Sequence, residues 1–299
     1  MSSYHNPVLL KESIDSLVWD ADGFYIDVTY GGGGHSKEIL NRLSAKGRLM
    51  VFDQDGEAES NVVNDDRIIF VKANFRYLYR FWRWMEVDKV HGVLADLGVS
   101  SHQFDADYRG FSYRFDAELD MRMNEASSKT AQWILKEYGF KDLQDMFSEY
   151  GEIRNAKQLA KAIIDFRDSG RELQTTHDLN LVLENVVFGD RMKYFSQVYQ
   201  ALRIEVNDEM GALREVLQDS LRILKSGGKL VVISYHSLED RLVKRFMKAG
   251  NVDGKLKKDE YGRSLSEIKM EKKIILPSEE EQEINVRSRS AKMRIGTKL

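Results

Sequence analysis

A chain of 299 residues, 42% hydrophobic and 31% charged, can bury the core of one large domain or of a core domain with an insertion; this composition excludes disordered and fibrous classes. The absence of cysteine excludes disulfides and thiolate zinc sites and matches a reducing cytosol. A formal net charge of −3, with a pI of about 6.1, argues against a protein that coats nucleic acid over its whole surface but leaves local basic patches open.

The opening stretch MSSYHNPVLLKESIDSLVW mixes charges into its apolar residues, so neither a signal peptide nor a membrane span is expected there. Asn6-Pro7 reads as an N-cap with proline at the first helical position, opening a helix through Trp19. Strands are expected at Phe24 to Val28, Arg48 to Phe52, Ile68 to Val71 and Val90 to Ala95. Between them, Ile39, Leu40 and Leu43 mark one helix face, and Leu78, Phe81, Trp82 and Met85 another. Short apolar strands separated by helices predict a doubly wound, mostly parallel α/β sheet. After Asp96 the rhythm turns helical, with patterns at Thr130 to Tyr138, Ala156 to Arg167 and Thr176 to Val187. A helix stripe from Met210 to Leu224 then stops at Ser226-Gly227-Gly228, a strand follows at 229–234, and Ser237 caps the next helix with Asp240 three residues on. The expected organisation is an α/β domain of residues 1–104 and 205–299 interrupted by a helical insertion at 105–204.

Five stretches carry chemistry. In IDVTYGGGGHS, residues 26–36, four glycines follow a strand and open a helix, as in a nucleotide-binding turn. Asp53 ends the next strand, 19 residues after Gly34, where a carboxylate holds ribose hydroxyls. Neither phosphate fingerprint fits: counting from Gly31, Ser36 stands where G-x-G-x-x-G needs its third glycine, and G-x-x-x-x-G-K-[ST] is absent. A turn that serves chain reversal alone is the plain alternative. With ILKSGGKLVVIS, residues 223–234, the turn and Asp53 resemble class I S-adenosylmethionine-dependent methyltransferases, whose ligand has a nucleoside and no phosphate.

Asp96 ends the fourth strand, where doubly wound sheets place ligands, and Gly98, Ser100, Ser101 and Gln103 make a polar loop beyond it. The same stretch interleaves Phe104, Phe111, Tyr113 and Phe115 with Arg109 and Arg114, a mixture suited to an unstacked base and its backbone; a solvated loop is the alternative. In ISYHSLEDR, His236 lies just beyond a buried strand, as a substrate-site or a structural histidine, while Glu239 and Asp240 read as capping charges. NVRSRSAKMRIGTKL, with Arg287 and Arg289, and the helix carrying Arg241, Lys244, Arg245 and Lys248 are candidate RNA-backbone contacts or solvated charge. No metal-ligand spacing is present among the histidines.

Together HNPVLLKE, DVTYGGGGHS, DLGVSSHQFD, RGFSY, LDMRM, QALRIEVNDE, ISYHSLEDRLVK and VRSRSAKMR resemble the MraW family of bacterial 16S ribosomal RNA cytosine-N4 methyltransferases, in the expected order from His5 to Arg294. The resemblance implies a class I, Rossmann-like fold with an inserted helical RNA-recognition domain. It also implies S-adenosyl-L-methionine as cofactor and a cytidine N4 amine in the decoding region of 16S rRNA as methyl acceptor, in the cytoplasm and with the small ribosomal subunit as partner. By the family pattern Gly33, Gly34 and His35 line the methionine end, Asp53 takes the ribose, Phe75 borders the adenine, and Asp96 and Gln103 complete the pocket. Ser100, Arg109, Phe111, Arg287 and Arg289 are expected to meet the RNA. Asp96 and His236 are the expected catalytic pair, although the pattern equally makes Asp96 a cofactor ligand. RMKYFSQVYQALRI departs from the family in lacking a proline before Gln200-Ala201, which bears on helix geometry in the insertion. The competing readings are a non-catalytic RNA-binding or assembly factor on the same fold, a nicotinamide oxidoreductase, and a DNA amino-methyltransferase. DLGVSS stands where the last would carry an Asp/Asn-Pro-Pro-aromatic motif. A homodimer is left open.

Overall fold

The structure, a computed structural model, describes residues 7–99 and 108–299. Of these, 7–98 and 210–299 form one compact unit, and 99 with 108–209 a second.

The first unit is built on seven strands: β1 Phe24–Asp27, β2 Arg48–Asp53, β3 Ile68–Lys72, β4 Val90–Asp96, β5 Leu224–Ser234, β6 Ile268–Met270 and β7 Lys292–Lys298. They lie in the order 3-2-1-4-5-7-6; β1 to β5 are parallel, and β7 runs antiparallel to both its neighbours. The central strands are apolar throughout because both faces are covered. Their two-residue period then sorts side chains between two cores. Met50 and Phe52 of β2 join Val93, Val232 and Phe246 on one face, while Leu49 and Val51 join Leu94, Val231 and Ile39 on the other. Helices α1 Leu10–Leu17, α2 Gly34–Arg42 and α3 Leu78–Trp84 flank the sheet with two more, Glu209–Ile223 and Ser237–Ala249.

Four local expectations are corrected. Helix α1 begins at Leu10, not at Pro7, because Leu9 takes a left-handed conformation (φ 53°) and its N–H donates to Glu281 Oε1 at 2.8 Å. Asn6 lies outside the described residues. Ser226-Gly227-Gly228 is a bulge rather than a helix stop: the 209–223 helix runs straight into β5, and pairing jumps from Val90–Leu224 to Gly92–Lys229, with Gly227 at φ 82°. The basic end of the chain is not a tail. Residues Val286–Ser290 form a 3-10 turn and 292–298 are β7, with Met293 and Ile295 buried. The helix after β5 is capped by His236 rather than Ser237.

The second unit packs helices Ala131–Glu137, Phe140–Gly151, Ala156–Asp168, Thr176–Glu184 and Arg191–Asn207 around Phe147, Leu159, Ile163 and Phe195. Three of them start at side-chain caps: Thr130, Asp190, and a full capping box between Thr175 and Asp178. With no proline in RMKYFSQVYQALRI, Arg191–Asn207 is one unbroken helix of 17 residues. Among the described residues no helix is long and apolar enough to cross a membrane.

Candidate functional site

The carboxyl ends of β1, β2 and β4 meet at the glycine turn, where three aspartates end three parallel strands. Asp27 closes β1 and is 1% exposed. One of its oxygens accepts from the Thr29 N–H (3.0 Å) and hydroxyl (3.3 Å), the other from the Ser36 hydroxyl (2.7 Å). These bonds satisfy a buried carboxyl group and tie the end of β1 to the first turn of α2.

Part of the glycine run is demanded by the protein itself. Gly31 and Gly33 have φ of 51° and 74°, a region that other residues enter only with strain. A Cβ on Gly33 would lie 2.6 Å from the Tyr30 hydroxyl, which donates to the Asn61 carbonyl; a Cβ on Gly34 would lie 2.2 Å from Pro7 Cγ. Gly33→Ala is therefore expected to cost roughly 2–4 kcal/mol, combining left-handed strain with overpacking. Urea unfolding of the ligand-free protein checks this, and an unchanged midpoint would contradict it.

Asp53, at the end of β2, accepts from the Gly31 N–H (2.8 Å) and the Asp55 N–H (2.9 Å), so it shapes the turn whose ligand it was expected to hold. Burial raises its carboxyl to about 6, against the lowering by those two backbone donors. The buried Asp55 caps the following 3-10 turn by accepting from the Glu57 N–H. Phe75 lies in the 3-10 turn after β3, held by Asn74, which accepts from the Arg76 N–H and donates to Gln54 Oε1 at the end of β2.

Asp96 closes β4. Its N–H donates to the Thr29 hydroxyl (2.7 Å), its Oδ1 accepts from the Tyr235 hydroxyl (2.7 Å), and its Oδ2 lies 3.7 Å from His35 Nδ1. Burial pushes the carboxyl up to about 6, opposed by the neighbouring His35 and the Tyr235 hydrogen bond, although 23% of the side chain remains exposed. His35 is buried and its Nε2 is 3.1 Å from the Val8 carbonyl. A carbonyl only accepts, so His35 Nε2 carries a proton.

Gly33, Gly34, His35, Asp53, Phe75 and Asp96 thus all lie at or just beyond the carboxyl ends of β1 to β4 in the first unit. Asp27, Thr29, Ser36 and Tyr235, none of which has a site signature in the sequence, knit these strand ends together. The nearest to a signal is at Asp27, a carboxylate at the last position of a buried strand. Ser100 and Gln103 lie outside the described residues.

The expected substrate residues His236, Arg109 and Phe111 make the following contacts within the protein. His236 is turned toward its own helix: Nδ1 accepts from the Glu239 N–H at 3.5 Å, Nε2 is 3.0 Å from Glu239 Oε1, and Glu239 Oε2 accepts from the His236 N–H. The Arg109 guanidinium is 3% exposed and donates to the Arg122 carbonyl at 2.6 Å, and Phe111 is buried beneath it in the second unit's core. Arg287 is half-buried, whereas Arg289 is exposed.

A sheet in the order 3-2-1-4-5-7-6, closed by an antiparallel seventh strand, is the class I methyltransferase architecture. Within that class the chain belongs to the MraW methylase family, whose model matches residues 2–299. It is 52% identical over 301 residues to Ribosomal RNA small subunit methyltransferase H of Parabacteroides distasonis, covering 100% of this chain and 98% of that protein. It is 51% identical over 297 residues to the protein of the same name from Flavobacterium johnsoniae, covering 99% and 98%. Among solved structures, an rRNA methylase from Streptococcus thermophilus aligns with a TM-score of 0.41 at 11% identity, over 97% of this chain and 93% of that one.

Proposed function

We propose that this protein transfers a methyl group from S-adenosyl-L-methionine to the exocyclic N4 amine of a cytidine in the decoding region of 16S ribosomal RNA, acting in the cytoplasm on the small subunit. The supporting observation is charge. Asp27, Asp53, Asp55 and Asp96 gather at strand ends around a turn, residues 26–36, that contains neither lysine nor arginine. Four carboxylates repel a pyrophosphate and favour a ligand bearing sulfonium and ammonium charge. The residues therefore fit the cofactor. Asp53 has lone pairs left for two ribose hydroxyls, Phe75 offers a face to adenine, and Gly33, Gly34 and His35 at the start of α2 border the methionine end, whose carboxylate suits a helix N-terminus.

When bound, the cofactor supplies a methyl group on a sulfonium. The protein must present the cytosine amine to it, because conjugation with the ring makes that amine a poor nucleophile. Asp96 does this by accepting an N4 hydrogen bond, which fixes the direction of the nitrogen lone pair; complete proximity and orientation of the two reactants, to which this bond contributes, can supply roughly 7–11 kcal/mol of a barrier. Once nitrogen is alkylated its proton becomes acidic, and the Asp96 carboxylate takes it and passes it to solvent. The splayed-out base costs a few kcal/mol, less where it is already unpaired. Ser100 and Gln103 complete the pocket in this reading, and the second unit recognises the RNA.

Isothermal calorimetry tests the class of cofactor. S-adenosylhomocysteine is expected to bind and NADH to show no heat; NADH binding with no response to S-adenosylhomocysteine would overturn the reading.

The RNA backbone meets Arg289 and the exposed stripe Arg241, Lys244, Arg245 and Lys248 on the helix that begins beside Tyr235. Positions three and four apart put these cations on one face. Lys244→Ala with Lys248→Ala is expected to reduce the slope of log(kcat/KM) against log[salt] by about 1.4, at ~0.7 per single-stranded phosphate contact, with S-adenosylhomocysteine affinity unchanged. An unaltered slope would remove this helix from the interface.

A further inference from the structure

The Asp96 carboxylate has two oxygens in different surroundings, and the residue that makes them different is Tyr235. It follows β5 directly. Its N–H donates to Glu239 Oε2 at 2.8 Å, the same oxygen that accepts from the His236 N–H, so the capping carboxylate of the 237–249 helix also pins the tyrosine backbone. Its ring lies beside Gly98 (φ 97°), where a Cβ would come to 3.8 Å of Tyr235 Cδ2. Its hydroxyl reaches across to Asp96 Oδ1 at 2.7 Å. Backbone and hydroxyl are each held by a different partner.

We propose that Tyr235 is a positioning residue, occupying Asp96 Oδ1 so that Oδ2 alone is presented to the substrate amine. The inference rests on the reading that Asp96 is at the reaction centre. The groups facing Asp96 are His35 from α2, Asp27 from β1, Glu239 from the 237–249 helix and Tyr235 itself. Asp27 and Glu239 oppose ionisation of Asp96; His35 and the Tyr235 hydroxyl favour it. Burial and the adjacent Asp96 push the Tyr235 phenol well above its ordinary range, so it stays a donor and does not compete for the amine proton. Through this bond, the His236–Glu239 capping box supports the site at second hand: it sets where Tyr235 stands.

Methyl transfer to undermethylated small subunits, measured from pH 5 to 9, tests the proposal. In Tyr235→Phe the acidic limb of kcat is expected to move up by about one pH unit, a tenfold fall on that limb, with a smaller loss at pH 9 and S-adenosylhomocysteine affinity within threefold of wild type. Replacing Tyr235 by 3-fluorotyrosine, a stronger donor of nearly the same shape, is expected to move the limb down. The carboxyl carbon resonance of Asp96, identified by its absence in Asp96→Asn, reports the same shifts without turnover. Limbs and resonance that overlay with wild type in both variants would overturn the proposal. A wild-type protein that transfers no methyl group while the resonance still shifts would overturn the function and leave the Tyr235–Asp96 coupling in place.

Discussion

Replacing Asp96 by asparagine is expected to raise the melting temperature of the ligand-free protein at pH 8 while abolishing methyl transfer. The amide has nearly the shape of the carboxylate and carries no charge. Its oxygen accepts from the Tyr235 hydroxyl as Oδ1 does now, and its NH₂ takes the place of Oδ2, 3.7 Å from His35 Nδ1. It also removes the burial penalty that raises the carboxyl from 3.8 to about 6. A two-unit rise corresponds to about 3 kcal/mol, and the 23% of the side chain still exposed reduces this to on the order of 1–2 kcal/mol. At roughly 2–4 °C per kcal/mol for a unit of this size, the gain is several degrees. The sign in pH follows from the raised native value. Asp96 favours folding only when protonated, so its penalty is full above about 6, and the advantage of asparagine shrinks as pH falls toward 4. Calorimetric scans at pH 8 and 4.5 check this; a lower melting temperature at pH 8 would show that the native state depends on the charge.

Asp53→Ala is expected to weaken S-adenosylhomocysteine binding by several hundredfold. Two hydrogen bonds from a ribose diol to a carboxylate are worth about 1.5–3 kcal/mol each, partly offset by water, and the variant also leaves the Gly31 and Asp55 N–H groups without their acceptor. With the carboxyl raised to about 6, affinity in the wild type should fall as pH drops below that value, because a protonated Asp53 is a poorer acceptor; Asp53→Ala should abolish that contribution. Titration calorimetry at pH 5.5 and 8 measures both effects. A loss of less than tenfold would place the ribose elsewhere.

Much of the fold is legible in the sequence for physical reasons. The parallel strands announced themselves because both faces are buried, so LMVF in β2 and LVVI in β5 are uninterrupted apolar runs. The turn was legible because positive φ demands glycine. What the sequence could not separate was ligand from neighbour: Tyr30 and Pro7 account for Gly33 and Gly34 without invoking a bound molecule.

Charge on a short segment does not reveal its partner. The closing basic stretch is open to RNA contact or solvated charge in sequence, but the Arg294 guanidinium forms a two-pronged pair with Asp240 at 2.6 and 3.1 Å and sits on β7. Arg109 looked like a phosphate ligand and instead satisfies backbone carbonyls in a core. His236 stood at the correct strand end, yet the neighbour that reaches Asp96 is Tyr235, one residue earlier. A one-residue step reverses the face on which a side chain projects, and residue type alone could not choose between them.

The most direct measurement is transfer of labelled methyl from S-adenosyl-L-methionine to small ribosomal subunits lacking the modification, followed by nucleoside mass analysis, with Asp96→Asn in parallel. The account predicts N4-methylcytidine from the wild type and none from the variant. Label at another atom, or no label in RNA from a protein that binds the cofactor, would contradict it.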